Sequence, residues 1–221
     1  MIDSTALTAA MRLSKFNLTR GRFLSWSFMP VTGSSSPTGT LVSNGPSKPR
    51  MIRGIDAKIT ADESGTLAFS YTLSADMDQL MIPCATAHGR VDGLWQHSCF
   101  EAFFGMKDCS AYYELNFSPS GQWAAYRFRA YRERRPIEVE LSAPAISVEQ
   151  TADRLTLTAA VRLDQLPALE PGAIIRIGLS AVIEDIDGAL SYWALKHPSE
   201  QPDFHHPGSF AWEFALPGKS A

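Results

Sequence analysis

The sequence predicts an all-β protein, an antiparallel two-sheet β-sandwich of the jelly-roll type. From about Met51 onward, short runs of alternating apolar and polar residues recur, and residues typical of turns separate them. Helical periodicity never extends beyond a turn or two. Roughly ten such runs without crossover helices favour two packed antiparallel sheets over a parallel α/β arrangement.

The composition is that of a folded globular chain. Its 221 residues are 45% hydrophobic and 19% charged, and the formal net charge is -3. Such a chain can bury a sizeable core, and its charge gives no reason to expect a nucleic acid as a partner. The sequence contains no apolar run long enough to span a membrane. We therefore predict one sandwich domain, residues 51–221, with neither a nucleic-acid nor a membrane partner.

Residues 1–50 differ from the rest. No acidic residue occurs between Asp3 and Asp56, whereas several arginines and lysines do, which resembles a transit peptide by composition. The apolar runs are too interrupted for the hydrophobic region of a secretory signal. Residues 31–49 are rich in Gly, Ser, Thr and Pro, which indicates a loop or linker. We predict that residues 1–50 form a basic, irregular N-terminal extension.

Three cysteines bear on the compartment. Cys84, Cys99 and Cys109 leave at least one thiol unpaired, and no pair has the Cys-x-x-Cys spacing of a zinc ribbon or redox motif. A reducing compartment is the simpler setting, so we predict a cytoplasmic location.

The predicted strands show period-two alternation. In LAFSYTL, residues 67–73, the large apolar side chains share one face, which predicts a half-buried strand. Two Asp-Gln-Leu sequences, at 78–80 and 164–166, predict short helical turns between the sheets. The later runs with strand alternation are CFEAFFG, YYELNFS, QWAAYRFRAY, IEVEL, AISVEQ, RLTLTAAVRL, AIIRIGLSAVI, ALSYWAL and SFAWEFAL.

The run CFEAFFG carries a charge among apolar residues. Alternation places Glu101 on the face opposite to Phe100 and Phe104, which can fill a core. Burial of an unpaired charge is costly. Glu101 therefore indicates either a ligand groove or a salt bridge to an arginine such as Arg127 or Arg129.

Two tryptophans lie near strand ends. Trp95 belongs to the turn-rich VDGLWQH, and Trp193 belongs to SYWALKHP. Large aromatic faces stack well on the C–H faces of a sugar ring, so the two indoles could form a clamp. Capping of the end of the sandwich is the structural alternative.

The loop from 195 to 210 combines three prolines with several histidines, and the prolines disfavour regular structure. His197, Asp203 and His205 could ligate a metal, but their spacing matches no metal motif. Hydrogen bonding within a rigid loop is the favoured interpretation. A catalytic triad is not indicated, because the sequence has no Gly-x-Ser-x-Gly elbow.

Taken in order, VDGLWQHSCFEAFFG, YYELNFSPSGQWAAYRF and SYWALKHPSEQPDFHHPGSF resemble bacterial DOMON-like proteins related to family 9 carbohydrate-binding modules. The branch in question is sometimes fused to UDP-N-acetylenolpyruvoylglucosamine reductase. The resemblance covers Ile52 to Leu216. It implies an antiparallel sandwich with a ligand pocket on one concave side.

The resemblance also implies site residues. In the sugar-binding relatives, a tryptophan before a strand and a glutamate six positions later share the pocket, as Trp95 and Glu101 would here. A late-strand tryptophan completes the clamp, and an arginine and an asparagine on neighbouring strands add polar contacts. The predicted ligand-binding residues are Trp95, Glu101, Asn116, Arg127, Trp193 and His197.

The favoured hypothesis is a non-enzymatic binding module for a small carbohydrate or sugar-like ligand, with no cofactor, no metal and no catalytic residue. The alternative is a heme- or metal-binding domain, since other DOMON-like domains hold heme between their sheets. That function would need His197, His205, His206 or Met81 to project into an apolar cavity. An enzyme using Glu101 or the histidine loop comes third, because the sequence places no pair of carboxylates together.

Overall fold

The computed structural model describes residues 36–45, 49–137, 141–166 and 169–218. Within these ranges the regular structure consists of strands and short 3-10 turns. The strands are β1 (Thr38–Ser43), β2 (Ile52–Ala61), β3 (Thr66–Ala75), β4 (Cys99–Met106), β5 (Tyr112–Phe117), β6 (Trp123–Ala130), β7 (Glu133–Arg135), β8 (Ala145–Gln150), β9 (Arg154–Arg162), β10 (Ile174–Glu184), β11 (Leu190–Ala194) and β12 (Trp212–Ala215). No helix in the described ranges has the length and apolar character needed to cross a membrane.

The strands form two antiparallel sheets that share β1. Sheet A has the order β1-β2-β3-β9-β8, and sheet B has the order β7-β6-β5-β4-β10-β11-β1, with β12 also paired to β10. Residues 38–41 of β1 pair with β2, and Val42 and Ser43 pair with β11. The predicted all-β, antiparallel sandwich is confirmed.

Strand β1 lies where the sequence predicted a loop. Leu41 is buried and stands opposite Ile55, so this segment contributes to the core. A Cβ atom on Gly39 would lie 2.8 Å from the ring of Trp212, and the glycine therefore permits a close approach. The prediction of an irregular segment is wrong for Thr38–Ser43. This strand has only one buried large side chain, Leu41, so its composition resembles that of a linker. Residues 1–35 and 46–48 of the predicted extension lie outside the described residues.

The main core lies between the two sheets. The predicted apolar face of β3, which includes Phe69 and Tyr71, is fully buried. The ring centroid of Phe69 lies 5.6 Å from that of Phe104 and 6.0 Å from that of Phe117, both in sheet B. The Tyr71 hydroxyl donates a hydrogen bond to the backbone oxygen of Glu101 at 2.7 Å. The contacts of Phe69 and Tyr71 hold the two sheets face to face.

The connections agree with the predicted turns where they are described. The two Asp-Gln-Leu sequences fall at 3-10 turns, Met77–Gln79 and Leu163–Gln165. All three cysteines are free. The central residues of the predicted strand IEVEL, 138–140, lie outside the described part of the chain.

Sheet B is covered on both faces at its centre. Its inner face belongs to the main core, and its outer face carries a second aromatic cluster that includes Phe103, Tyr112 and Phe128. Phe204 and Phe210, from the loop before β12, pack on this outer cluster. Strands β4 and β5 are therefore buried almost throughout, and side chains on their outer face surround the pocket described next.

Candidate functional site

A pocket of about 620 Å³ opens on the outer face of sheet B. The strands form its floor, a 3-10 turn (Leu94–Gln96) forms one wall, and the loop containing Phe204 forms another. This volume lies within the range typical of small-molecule sites. The pocket is therefore the candidate functional site.

Two glutamates lie at the floor of the pocket. In the β4–β5 register Glu101 stands opposite Asn116, and Glu114 stands opposite Phe103, so the two carboxyl groups are diagonal neighbours on one face. Glu101 is 3% exposed and Glu114 is 5% exposed. The Ser180 hydroxyl donates to Oε2 of Glu101 at 3.1 Å, and the Asn116 amide donates to Oε1 of Glu114 at 3.0 Å.

Burial changes the ionisation of both glutamates. Loss of hydration, with the neighbouring charge of Glu114, raises the pKa of Glu101 to about 8 despite the hydrogen bond from Ser180. Loss of hydration also raises the pKa of Glu114 to about 7, and the Asn116 hydrogen bond and two arginines oppose this rise. Two acids that share a dry site ionise as a pair, so the pair retains protons at neutral pH.

A histidine from the long loop faces this pair. The Tyr112 hydroxyl accepts a hydrogen bond from the backbone N–H of Arg132 at 3.1 Å and lies 2.9 Å from Nδ1 of His205. The hydroxyl is therefore assigned as the donor to Nδ1, which leaves the ring proton on Nε2, 3.5 Å from Oε2 of Glu114. Burial, together with the charge of Arg132, lowers the pKa of His205 to about 4, so the imidazole is neutral at neutral pH.

Charged groups at the rim fasten the loop to sheet B. Asp203 accepts hydrogen bonds from Arg132 at 2.9 Å and from the Tyr131 hydroxyl at 2.7 Å. The Arg134 guanidinium lies over the Tyr126 ring, 4.2 Å from its centroid. One face of Tyr126 is thus already covered by a cation.

Other aromatic rings at the rim remain open. Trp95 is 50% exposed and follows Gly93, whose φ of 82° begins the turn that carries the indole. Tyr192 and Phe204 also line the pocket, with ring centroids 6.3 Å apart. By contrast, the Phe128 ring stacks on the Tyr112 ring with their centroids 4.8 Å apart, so one face of Phe128 is already covered. Trp95 is therefore the ring best placed to stack on a ligand, and the partly buried Tyr192 and Phe204 offer further aromatic surface.

The structure brings together two of the predicted site residues, Trp95 and Glu101, which both line the pocket. Asn116 is fully buried beside them and binds Glu114. The predicted salt bridge from Glu101 to Arg127 or Arg129 is wrong. The hydrogen-bond partner of the Glu101 carboxyl is Ser180, and Arg129 pairs with Glu133.

Trp193 is not part of the pocket. Its side chain is 2% exposed and packs in the main core, where its indole N–H donates to the Ser191 hydroxyl at 3.0 Å. Alternation along β11 turns the preceding residue, Tyr192, to the outer face instead. The predicted clamp of Trp95 and Trp193 is therefore wrong, and Tyr192 stands in the place expected for the second ring.

Arg127 and His197 do not line the pocket, although the ring centroid of His197 lies 6.1 Å from that of Phe204 in the pocket wall. Arg127 shares the inner face of β6 with Trp123 and Ala125 and stands opposite Arg135 of β7. Nε2 of His197 lies 2.9 Å from the backbone oxygen of Val42, so this ring fixes the loop to β1. The predicted places of Arg127 and His197 in the pocket are wrong.

The sequence did not indicate several lining residues, namely Glu114, Tyr126, Arg132, Tyr192 and Phe204, and it indicated His205 only as a candidate metal or heme ligand. One signal was available for Glu114. It lies on the polar face of YYELNFS beside Asn116, and, like Glu101 in CFEAFFG, it is a charged residue in a largely apolar strand.

The histidine loop is held by hydrogen bonds, which agrees with the interpretation favoured from the sequence. Nδ1 of His206 accepts from the N–H of Gly208 at 2.9 Å, and His197 and His205 have the contacts given above.

The residues proposed as heme ligands do not fit a heme. Of these residues only His205 lines the pocket, its two ring nitrogens face Tyr112 and Glu114, and Met81 is 51% exposed. The floor carries Glu101 and Glu114 rather than an apolar surface.

The fold is similar to those of solved carbohydrate-binding proteins. One is a candidate carbohydrate-binding protein from Bacteroides uniformis, with a TM-score of 0.58, 15% identity, and coverage of 81% of this chain and 86% of that one. Another is a family 9 carbohydrate-binding module from Caldicellulosiruptor kristjanssonii in complex with cellotriose, with a TM-score of 0.51, 11% identity, and coverage of 81% and 83%. No protein-family model and no curated protein sequence matches the chain. At these identities the likeness establishes the fold.

Proposed function

We propose that the chain is a non-enzymatic binding module for a small carbohydrate, held in the pocket on the outer face of sheet B. The observation that carries this proposal is the combination of open aromatic rings at the rim with buried hydrogen-bonding groups at the floor. A sugar ring has both kinds of surface, because its C–H faces stack on aromatic rings and its hydroxyl groups need polar partners.

The pocket offers both contacts at once. Trp95, Tyr192 and Phe204 supply aromatic surface. Glu101 and Glu114 supply oxygen atoms that accept from sugar hydroxyls when ionised and also donate when protonated. The similar fold of a module that was solved with cellotriose supports a sugar as the ligand.

The ionisation of the two glutamates supports binding rather than glycoside hydrolysis. Hydrolysis uses one carboxyl group as an acid and a second, ionised one as a base or nucleophile. Here burial raises the pKa of both groups toward or above neutrality. Burial thus raises both pKa values together, whereas a hydrolytic pair has one pKa raised and the other kept low.

Calorimetric titration of the purified chain with glucose, cellobiose and N-acetylglucosamine tests this proposal. We expect saturable heat with at least one of these sugars and its loss in Trp95→Ala. Ile174→Ala is the control, because Ile174 is a similarly exposed apolar residue at the end of β10 remote from Val182 and the pocket. Absence of heat with every sugar, from a protein shown to be folded by circular dichroism, would reject the proposal.

A further inference from the structure

The floor of the pocket is rich in hydrogen-bond acceptors and poor in donors. The donors that reach the two glutamate carboxyl groups are the Ser180 hydroxyl and the Asn116 amide, and Nε2 of His205 lies further off at 3.5 Å. Asn116 stands opposite Glu101 in the register and is fully buried, so it supports the floor from behind and does not line the pocket. Buried carboxyl groups with few donors are costly, so this floor favours a ligand that brings donors.

The positive charges of the pocket do not reach Glu101. Arg132 pairs with Asp203 at the rim, and Arg134 lies over Tyr126. These two arginines act on Glu114, whereas the interactions that set the ionisation of Glu101 include no cation. The negative charge of an ionised Glu101 is therefore less well compensated by cations than that of Glu114.

We propose that Glu101 and Glu114, at the floor of the pocket, bind a positively charged group, so that the pocket selects sugars that carry a free amino group. This inference rests on the proposed function, because it assumes that the pocket holds a sugar. An ammonium group brings three N–H donors and one positive charge, which match two carboxyl groups that have few donors of their own. A hydroxyl group in the same place would bring one donor and no charge.

The inference predicts a coupling between sugar binding and protons. A bound ammonium group favours the ionised glutamates, so binding releases protons from the pair, and affinity rises with pH while the amine stays protonated. The neighbouring groups that face the pair or carry charge at its pocket are Tyr71, Cys99, Tyr112, His205, Asp92, Arg132 and Arg134. Of these, His205 is already neutral above pH 6, because its pKa is about 4. The change between pH 6 and pH 7 therefore reports the glutamates.

The test compares glucosamine with glucose and N-acetylglucosamine by calorimetric titration at pH 6 and pH 7. We expect glucosamine to bind at least about tenfold more tightly than the two neutral sugars at pH 7, the scale of one charge-assisted hydrogen bond. We also expect its affinity to rise from pH 6 to pH 7, with proton release visible as a dependence of the heat on the ionisation enthalpy of the buffer.

Variants provide the second readout. Glu101→Gln keeps the size of the side chain and removes its charge, so the ratio of the affinities for glucosamine and glucose should fall to within about threefold. Glu213→Gln removes an exposed carboxylate that pairs with Lys107, away from the pocket, and should keep the preference. Because the comparison among sugars is made on the unmodified chain, it stands even if Glu101→Gln does not fold.

Three results would overturn the inference. Equal affinity for glucosamine and glucose leaves the proposed function intact and rejects a cationic group. Saturable binding of calcium chloride that is lost in Glu101→Gln, without any preference for glucosamine, assigns the floor to a metal ion. Failure of every sugar to bind rejects the proposed function and this inference with it.

Discussion

The Tyr112 hydroxyl lies 2.9 Å from Nδ1 of His205 and joins the long loop to β5 beneath the pocket. The same hydroxyl accepts the N–H of Arg132. One oxygen atom thus fixes a wall of the pocket and the residue that faces Glu114.

Removal of this hydroxyl should loosen the loop. Tyr112→Phe leaves Nδ1 of His205 and the N–H of Arg132 without their partner, so we expect a loss of about 1–3 kcal/mol in the free energy of unfolding, measured with urea. Tyr131→Phe removes a hydroxyl with a partner in the same loop, Asp203, but at an exposed site. It should cost less than about 1 kcal/mol, and equal losses in the two variants would contradict this account of the loop.

The two tryptophans expected to act as a pair should behave in opposite ways. Trp95→Ala should change the free energy of unfolding by less than about 0.5 kcal/mol, because the indole is half-exposed, and should abolish sugar binding. Trp193→Ala should cost about 3–5 kcal/mol, because its indole is in the core. Urea unfolding and calorimetric titration of both variants measure these effects, and a stable Trp193→Ala protein that no longer binds sugar would restore the predicted clamp.

Stability should fall as the pH rises above neutrality. The folded chain keeps protons on Glu101 and Glu114 that the unfolded chain has lost above a pKa of 4.5, so the stabilisation present at low pH is lost as the pH passes through about 7 and 8. The contribution of His205 to the pH dependence of stability has the opposite sign, because its lowered pKa reduces the free energy of unfolding only as the pH falls below 6.5.

A window from pH 6.5 to 8.5 therefore isolates the glutamates. We expect the free energy of unfolding to drop by about 2 kcal/mol over this window, and by distinctly less in Glu101→Gln. Glu213→Gln, at an exposed site, should retain the full drop. A free energy of unfolding that does not change over the window in the unmodified chain would show that the pair is not held protonated.

Gly105 marks a close approach between β4 and the segment that leads into β5. A Cβ atom there would clash with the backbone oxygen of Ala111, which cannot move without disturbing the register. Gly105→Ala should therefore cost about 1–3 kcal/mol in urea unfolding. At Gly54 no atom lies within 4 Å of such a Cβ, so Gly54→Ala should be neutral or slightly stabilising. Similar effects at the two glycines would argue against this packing.

Alternation predicted the faces of individual strands well. The face of β3 that carries Phe69 and Tyr71, and the separation of Glu101 from Phe100 on β4, follow directly from period two. Strand β1 was not predicted because Leu41 and Val42 are its only large apolar residues, and because Val42 and Ser43 pair with β11, which lies far along the chain.

The site was predictable only in part, because a single strand does not indicate which of its faces meets a ligand. In SYWAL, Tyr192 and Trp193 are both aromatic and adjacent, and only the register with β10 sends Trp193 to the core and Tyr192 to the pocket. Arg127 was misplaced for the same reason. His205 lies beside Glu114 although the two residues are 91 positions apart in the sequence. Local sequence patterns cannot predict such a contact.

The most direct test of the central claim follows the indole N–H resonances of the five tryptophans by ¹H–¹⁵N NMR during titration with a sugar that binds. Because Trp95 lines the pocket and Trp193 lies in the core, we predict a saturable shift of the Trp95 resonance and a much smaller one for Trp193. Assignment uses Trp95→Phe and Trp193→Phe. Saturable binding that leaves the Trp95 resonance in place, or shifts Trp193 instead, would contradict a sugar site in this pocket.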